Sequence, residues 1–533
     1  MTAVDGTLQG SAARTGTSPS GTAETARAAG RGGVAVLGAK VFFLVTGFIQ
    51  QPLLRFAVGL NDFGALAQAL VVANTVNNVV VSSGTQGVSR VVASAPGRED
   101  EVLRATLRVH GPMALFVAGA MALAAPVYAR FEHAEDVIPP LLVLAAVALL
   151  YGLYAPLIGY LNGRNRFGRQ AALDVTFATM RTVGLVAFGR AFVTHGLSGV
   201  LGTTIGWVAA AFFIVPLALR STGWGRKTAA DRVRPAGVPT PKAYITLLLP
   251  IAGAQLCTNA LLQADIALLG RFLSESAAPM SSSARDAVKS SLAIYKECQT
   301  FAFLPYQLLF SVTLVLFPML ARAHAEGDAA AVREYVARGA RLAAIFGGLL
   351  VAVIVAMPES MLAFAYGTAD AHHGAEVLRT MALAQGAFAM LGIATTVLTS
   401  IGRERAAAWL TLGALVAVML ACTLLVPAAP FGHAQLVRSA QATAIAFAIA
   451  LVIAAMLVRA QTGAFVPAWT ALRVGIALVA CFALGACIPH VGRLLTPVIA
   501  LFVAAAYLIV LVATREIGPA EIGWLRTLVA RRR

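Results

Sequence analysis

Long apolar stretches alternate with short polar or basic ones along nearly the whole chain. Fourteen stretches approach or exceed the ~20 residues that cross a bilayer as a helix. They cover about 33–58, 65–90, 107–128, 137–161, 170–191, 197–219, 243–270, 291–318, 339–357, 377–400, 406–427, 437–458, 469–489 and 494–513. The pattern predicts an all-α polytopic membrane protein. The first stretch says most about the others. At ~100° per residue, Lys40, Gly47, Gln51 and Arg55 share a stripe about 60° to 80° wide, with Val41, Phe42, Val45, Phe48 and Ile49 read as the opposite, lipid face. A positive side chain in hydrocarbon costs at least ~2.5–3.5 kcal/mol and normally faces a bundle interior or a water-filled cavity. The remaining spans therefore read as the wall of such a cavity.

Composition agrees: 59% of residues are hydrophobic and 12% charged, against about 25% charged in soluble proteins, and the mean hydropathy is +0.78. The net charge of +17 does not imply a nucleic-acid partner, because the bases are scattered among short loops between apolar spans. With the N-terminus in the cytoplasm, Arg98, Arg104, Arg108, Arg164, Arg166, Arg169, the 220–242 cluster, Arg322, Arg333, Arg338, Arg341, Arg403, Arg405 and the Arg531–Arg533 tail share that side. About 29 of the 41 bases then lie inside, a strong positive-inside bias that makes both termini cytoplasmic. Trp224, Trp409, Trp469 and Trp524 fall near the same boundary. The longest outer connection, about 272–290, reads as polar and flexible. Cys257, Cys298, Cys422, Cys481 and Cys487 form no CxxC pair and have no histidine at ligand spacing, so neither a metal nor a cofactor is expected.

Residues 1–30, rich in Ser, Thr, Gly and Ala, read as a disordered cytoplasmic tail. Residues 31–219 form a first six-span lobe, 220–242 a linker containing Pro235, Pro239 and Pro241, and 243–459 a second six-span lobe. Two more spans fill 460–514, and 515–533 is a basic tail. The halves echo each other: GRNRFGRQAAL at 163–173 follows span 4 and GRERAAAWL at 402–410 follows span 10. Parallel repeats of this kind place a cavity between two lobes related by an axis along the membrane normal.

Polar residues concentrate in spans 1 and 2 of one half and 7 and 8 of the other: Asn74, Asn77, Asn78 and Thr85; Gln255, Asn259 and Gln263, with Asp265 beyond; Lys296, Thr300 and Gln307, flanked by Glu297 and Gln299. Arg181 lies deep in span 5. Amides of this kind also bond between membrane helices simply to hold them together, at about 0.6 kcal/mol each. For Asp265 and Glu297 the plain alternative is an internal ion pair with Arg271 or Lys296. A cationic cavity suits a diphosphate, which Lys and Arg neutralise at close range, while amides and hydroxyls suit sugar hydroxyls.

The opening helix GAKVFFLVTGFIQQPLLRFAVGLNDFG, the span 2 ending GTQGVSRVVA, the segment YLNGRNRFGRQAALDVTFATMRTVGL, the start of span 7 (YITLLLPIAGAQL) and LLFSVTLVLFPMLARAHAEGDAAAVREYVARGARLAA together resemble polysaccharide exporters. The likeness covers about 30–460 and is to the multidrug/oligosaccharidyl-lipid/polysaccharide exporter superfamily, nearest its O-antigen and exopolysaccharide flippases, with lipid II flippases as neighbours. It implies a non-enzymatic inner-membrane flippase for undecaprenyl-pyrophosphate-linked oligosaccharide, working by alternating access. Lipid II flippases carry a denser set of arginines in their first spans. Lys40, Arg55, Arg181 and Lys296 are the candidates for the pyrophosphate. Gln51, Asn74, Asn77, Asn78, Gln255, Asn259, Thr300 and Gln307 are candidates for the sugar. Relatives couple to H+ or Na+, which points to Asp265 and Glu297. Membrane lipid, a polysaccharide polymerase and chain-length or export proteins are the partners implied. The alternatives are a lipid II flippase, a cation-coupled drug exporter and a membrane glycosyltransferase or polymerase. Against the last, Asp62, Glu132, Glu135, Asp136, His372 and His373 are scattered over short outer loops.

Overall fold

A computed structural model describes residues 19–223, 240–280, 283–488 and 492–518. Sixteen α-helices follow in order: α1 (Pro19–Val58), α2 (Leu60–Ala93), α3 (Glu99–Phe131), α4 (Ile138–Gly163), α5 (Phe167–Thr194), α6 (Gly199–Thr222), α7 (Pro241–Ala277), α8 (Ser283–Ala302), α9 (Leu304–Ala325), α10 (Ala329–Ala356), α11 (Pro358–Tyr366), α12 (Thr368–Ser400), α13 (Glu404–Leu425), α14 (His433–Thr462), α15 (Ala468–Cys487) and α16 (Thr496–Ala513). Among the described residues, 13 helices are long and apolar enough to cross a membrane. The protein is thus a polytopic all-α membrane protein.

Three expectations need correcting. The eighth predicted span is not one helix: it breaks at Phe303 into α8 and α9, with Pro305 at the start of α9. Proline fits that position because its missing N–H costs nothing in a first helical turn. The 272–290 connection is mostly helix, since α7 runs to Ala277 and α8 starts at Ser283. Finally, α1 begins at Pro19, within the stretch read as a tail; TAETARAA is rich in alanine, the best helix former. The linker residues 224–239, Trp224, Trp524 and the final basic tail lie outside the described residues.

Small residues set the packing. In the first half α4 presents Gly152, Gly159 and Gly163, where any added Cβ would strike Ala114 of α3 or the α2 segment Thr85–Val92. Gly184 of α5 and Gly206 of α6 press on each other's backbones in the same way. Such positions let membrane helices approach closely, where dispersion rather than water exclusion drives association. In this half α1 packs on α5, α2 on α4, α3 on α4, and α4 and α5 on α6. The second half repeats the scheme: α7 packs on α13, α9 on α12, α10 on α12, and α12 and α13 on α14. Even the turns recur. Asn165 (φ 55°) and Gly402 (φ 75°) take the left-handed conformation before α5 and α13. Each turn is closed by an N–H to the carbonyl five residues earlier, Arg166 to Leu161 and Arg403 to Leu398, both at 2.8 Å.

α15 and α16 stand outside this repeat and lean on α10. The Tyr507 hydroxyl donates to the Ile345 carbonyl at 3.1 Å. Glu516, just past α16, accepts from Arg341 Nε at 2.7 Å, Arg473 at 2.9 Å and Thr470 at 2.7 Å. A groove of about 570 Å³ runs between α10, α12, α14 and α15, lined by Gly347, Gly386, Met390, Val452, Gly475 and other apolar residues, with Arg459 as its one cation.

Candidate functional site

The turns bearing Arg98, Arg164, Arg166 and Arg403 lie on one face of the bundle, here the basic face. The two halves meet unequally between this face and the other. Along one edge α2 runs against α7 and α8. Near the basic face, an added Cβ on Gly87 would meet Leu248, and His110 Nε2 bonds the Tyr244 hydroxyl at 2.8 Å. Midway, Asn78 Nδ2 donates to Asn259 Oδ1 at 2.9 Å. At the far face, a Cβ on Gly64 would collide with the Lys289 carbonyl, and Lys289 pairs with Asp136 at 2.5 Å. The other edge is nearly bare. There α1 reaches the second half through Phe48, edge-on to Phe301 at 5.2 Å, and through Arg55, whose Nε donates to Glu297 Oε1 at 2.9 Å. α9 packs within its own half. The result is a wedge between α1 and α8–α9, joined at the far face, that opens toward the basic face and sideways.

The sequence-derived candidates fall into separate places. Lys40 is exposed on the open part of α1, within electrostatic reach of Asp174 in α5. Arg181 reaches α1 from α5, its guanidinium 4.8 Å from the centre of the Phe43 ring and 5.9 Å from that of Trp207. Its Nε is buried without a hydrogen-bond partner. Lys40 precedes Phe43 by three residues on α1, whereas Thr182, beside Arg181, donates to Gln50 Oε1 at 3.1 Å, so the Arg181 side chain leans toward the basic face to reach Phe43. Arg55 is elsewhere: fifteen residues at 1.5 Å each put it roughly 22 Å further along α1. One pyrophosphate cannot touch both ends of that stripe. Phe48 also departs from its expected lipid face; it precedes Arg55 by two helical turns, and so shares its side of the helix and the lobe junction.

Lys296 turns into the second half, where its Nζ donates to Gln299 Oε1 at 3.2 Å. Gln299 in turn donates to Asp265 at 3.2 Å, as does the Tyr295 hydroxyl at 2.9 Å; that hydroxyl also contacts Ser439 Oγ at 3.1 Å. Asp265 is buried and also accepts from the Ile266 N–H at 2.8 Å. Glu297 pairs with Arg55 of the opposite half. Thr300 caps back onto the Lys296 carbonyl at 3.0 Å, Asn259 Nδ2 donates to the Gln255 carbonyl at 2.8 Å, and Gln307 is exposed on α9. Asn77 is buried with both amide atoms unbonded, Gln51 Oε1 is likewise buried and unbonded, and Asn74 is half-buried. Sequence reasoning missed Asp174, although it precedes Arg181 by seven residues and so lies on the same face of α5. Among the described residues no group of three or more His, Cys, Asp or Glu side chains is placed to hold a metal.

The model of a polysaccharide biosynthesis protein family matches residues 55–372, more than half of the chain. The chain belongs to that family. This family member matches no curated relative. Its fold is that of the multidrug/oligosaccharidyl-lipid/polysaccharide superfamily. It is similar to the lipid II flippase MurJ in an inward closed conformation (TM-score 0.69, 14% identity, covering 91% of this chain and 99% of that one). It is also similar to an inward-facing multidrug resistance MATE family transporter (TM-score 0.60, 14% identity, 80% and 98% covered). A third likeness is to a superfamily transporter from Pyrococcus furiosus (TM-score 0.56, 14% identity, 80% and 96% covered).

Proposed function

We propose that this family member is a flippase, not an enzyme, that carries undecaprenyl-pyrophosphate-linked oligosaccharide across the bacterial inner membrane for surface polysaccharide. The observation that carries this reading is the cationic pair Lys40 and Arg181 at the open mouth of a one-sided lobe junction. The pyrophosphate binds there, with Lys40 as an exposed charge and Arg181 held against Phe43 and Trp207. An anionic headgroup needs a hydrated cationic path, whereas its hydrocarbon tail can stay in lipid; a wedge open along one edge serves both. The apolar groove between α10 and α15 accommodates part of that tail. The basic face is the cytoplasmic one, as the positive-inside rule requires. Alternating access then consists of parting the far face, where Arg55–Glu297 and Asp136–Lys289 join the halves, and closing the wedge. The Asp265–Tyr295–Gln299 network beside Lys296 is the place for H+ or Na+ coupling. An acidic cavity, which a cation-coupled drug exporter needs, is the opposite of the charge found at the wedge.

The test is complementation. Lys40→Ala and Arg181→Ala should each abolish surface polysaccharide while protein abundance stays near normal. Normal polysaccharide from both variants overturns the site, and formation of glycosidic bonds by the purified protein in detergent overturns the flippase reading.

A further inference from the structure

At the far face a crevice of about 1070 Å³ lies between the end of α3 and the Glu135–Val137 turn on one side and the α7–α8 connection on the other. Gln68, Ser274, Lys289 and His133 are among its lining residues. Beneath it, directly after α3, Glu132 is completely buried. Its Oε2 accepts from Gln68 Nε2 of α2 at 3.3 Å, and its Oε1 is buried with no hydrogen-bond partner. The seal over it comes from the opposite half: an added Cβ on Gly270 of α7 would run into Glu132 Oε2. Arg271, a cation within electrostatic reach of Glu132, is committed elsewhere. Arg271 Nε donates to Glu275 at 2.8 Å, and its guanidinium lies 4.6 Å from the centre of the Phe131 ring.

We propose that Glu132 is a proton-binding site, and that its proton ties closure of the two halves at this face to the acidity of the compartment beyond. A buried carboxylate with an unbonded oxygen and no ion partner is costly, and taking a proton removes most of that cost. Burial pushes the Glu132 carboxyl up from its ordinary 4.5 to about 8, against lowering contributions from Tyr128, Gln68 and Arg271. When the halves part, Gly270 leaves and the carboxyl meets water. The closed form thus holds one more proton than the open form between those values. In that window closure gains about tenfold for each unit the pH falls, and above about 8 the dependence vanishes.

Other charged and titratable groups surround Glu132 and must be separated from it. They are Tyr128 and Arg130 on α3, Glu135 and Asp136 in the turn, Arg271 and Glu275 on α7, and Arg285 and Lys289 on α8. His133 faces Glu275 at 3.8 Å across the junction. The experiment therefore carries His133→Gln as its background. Infrared difference spectra of the purified full chain between about pH 6 and pH 10 read the carboxylic acid directly. A protonated-carboxyl band present at the lower pH, lost at the higher and missing in Glu132→Gln is the expected result. Spin labels on Leu197 and Ala428, exposed on this face in different halves, read closure in lipid nanodiscs, with Cys257 and Cys487 replaced by serine. The closed-to-open ratio should fall about tenfold per pH unit up to about 8 in the parent; it should be pH-independent and closed in Glu132→Gln, and Glu135→Gln should keep the parent's slope. A band that survives Glu132→Gln, or a pH slope unchanged by that substitution, overturns the proposal. Because the readouts are a proton and a distance, failure here is distinguishable from loss of substrate transport.

Discussion

Breaking the Arg55–Glu297 pair should loosen the far face of the molecule, and the size of the effect follows from the geometry. The two groups are 2.9 Å apart, with side-chain exposures of 15% and 2%. At that distance and an effective dielectric of ~20, the attraction is about 6 kcal/mol before desolvation. Stripping water from Glu297 cancels part of it, since ion pairs taken out of water recover their hydration only in part. Close charge pairs across protein interfaces retain coupling of roughly 1.5–7 kcal/mol, and a site this enclosed at one end only belongs near the lower end, at about 2–3 kcal/mol or roughly 30- to 150-fold. The assay is a double-mutant cycle of Arg55→Gln, Glu297→Gln and the pair, reading the closed-to-open ratio from labels at Leu197 and Ala428. The cycle matters because each single change also disturbs that residue's other contacts. Each single variant should open this face, and the double should open it little more than either. A coupling energy below about 0.5 kcal/mol, the level expected of non-interacting sites, would refute the reasoning.

Three further outcomes follow from other contacts. Gly64→Val should hold the far face apart without lowering expression, because its side chain must occupy the position of the Lys289 carbonyl; labels that still report full closure would contradict this. Tyr244→Phe should lower the unfolding free energy by about 1–3 kcal/mol, since it strands buried His110, whose Nδ1 already lacks a partner; thermal unfolding in detergent measures it. Glu516→Gln should release α15 and α16 from α10, at a cost of about 1.5–3 kcal/mol. Burial alone would raise the Glu516 carboxyl, but hydrogen bonds from Thr470, Arg341 and Arg473 hold it below its ordinary 4.5. The contribution is therefore complete above that value and lost as pH falls through the lowered one, so parent and variant should differ at neutral pH and converge in acid.

The order of the spans, and all but the eighth of the fourteen, were legible because apolar length is a local property. The break in the eighth span was missed even though Pro305 marks it, because the residues on both sides are apolar enough to read as one segment. The site was legible only in outline. Periodicity carries no depth: the stripe on α1 grouped Lys40 with Arg55, which sit at different levels and have different partners. Nor does it name partners across 242 positions, the separation of Arg55 and Glu297 in the chain. Lys296 looked like a cavity cation for the same reason, whereas its rotation on α8 aims it at Gln299. Glu132 follows a hydrophobic segment and reads as an ordinary exposed loop acid; only the close approach of Gly270 from the opposite half buries it.

The unequal edges of the junction bear on how the molecule moves. In the proposed exchange the halves rock about the level of Asn78 and Asn259, midway between the faces, and displacement grows with distance from that level. A tilt of a few degrees barely stirs those two amides, while the contacts of Gly64 and Gly270 at one face and of Gly87 at the other part and meet in turn, like the ends of a seesaw. On the proposed route, cargo would enter where α1 and α9 leave the edge bare, and so meet the largest change in aperture for the least disturbance of packed side chains.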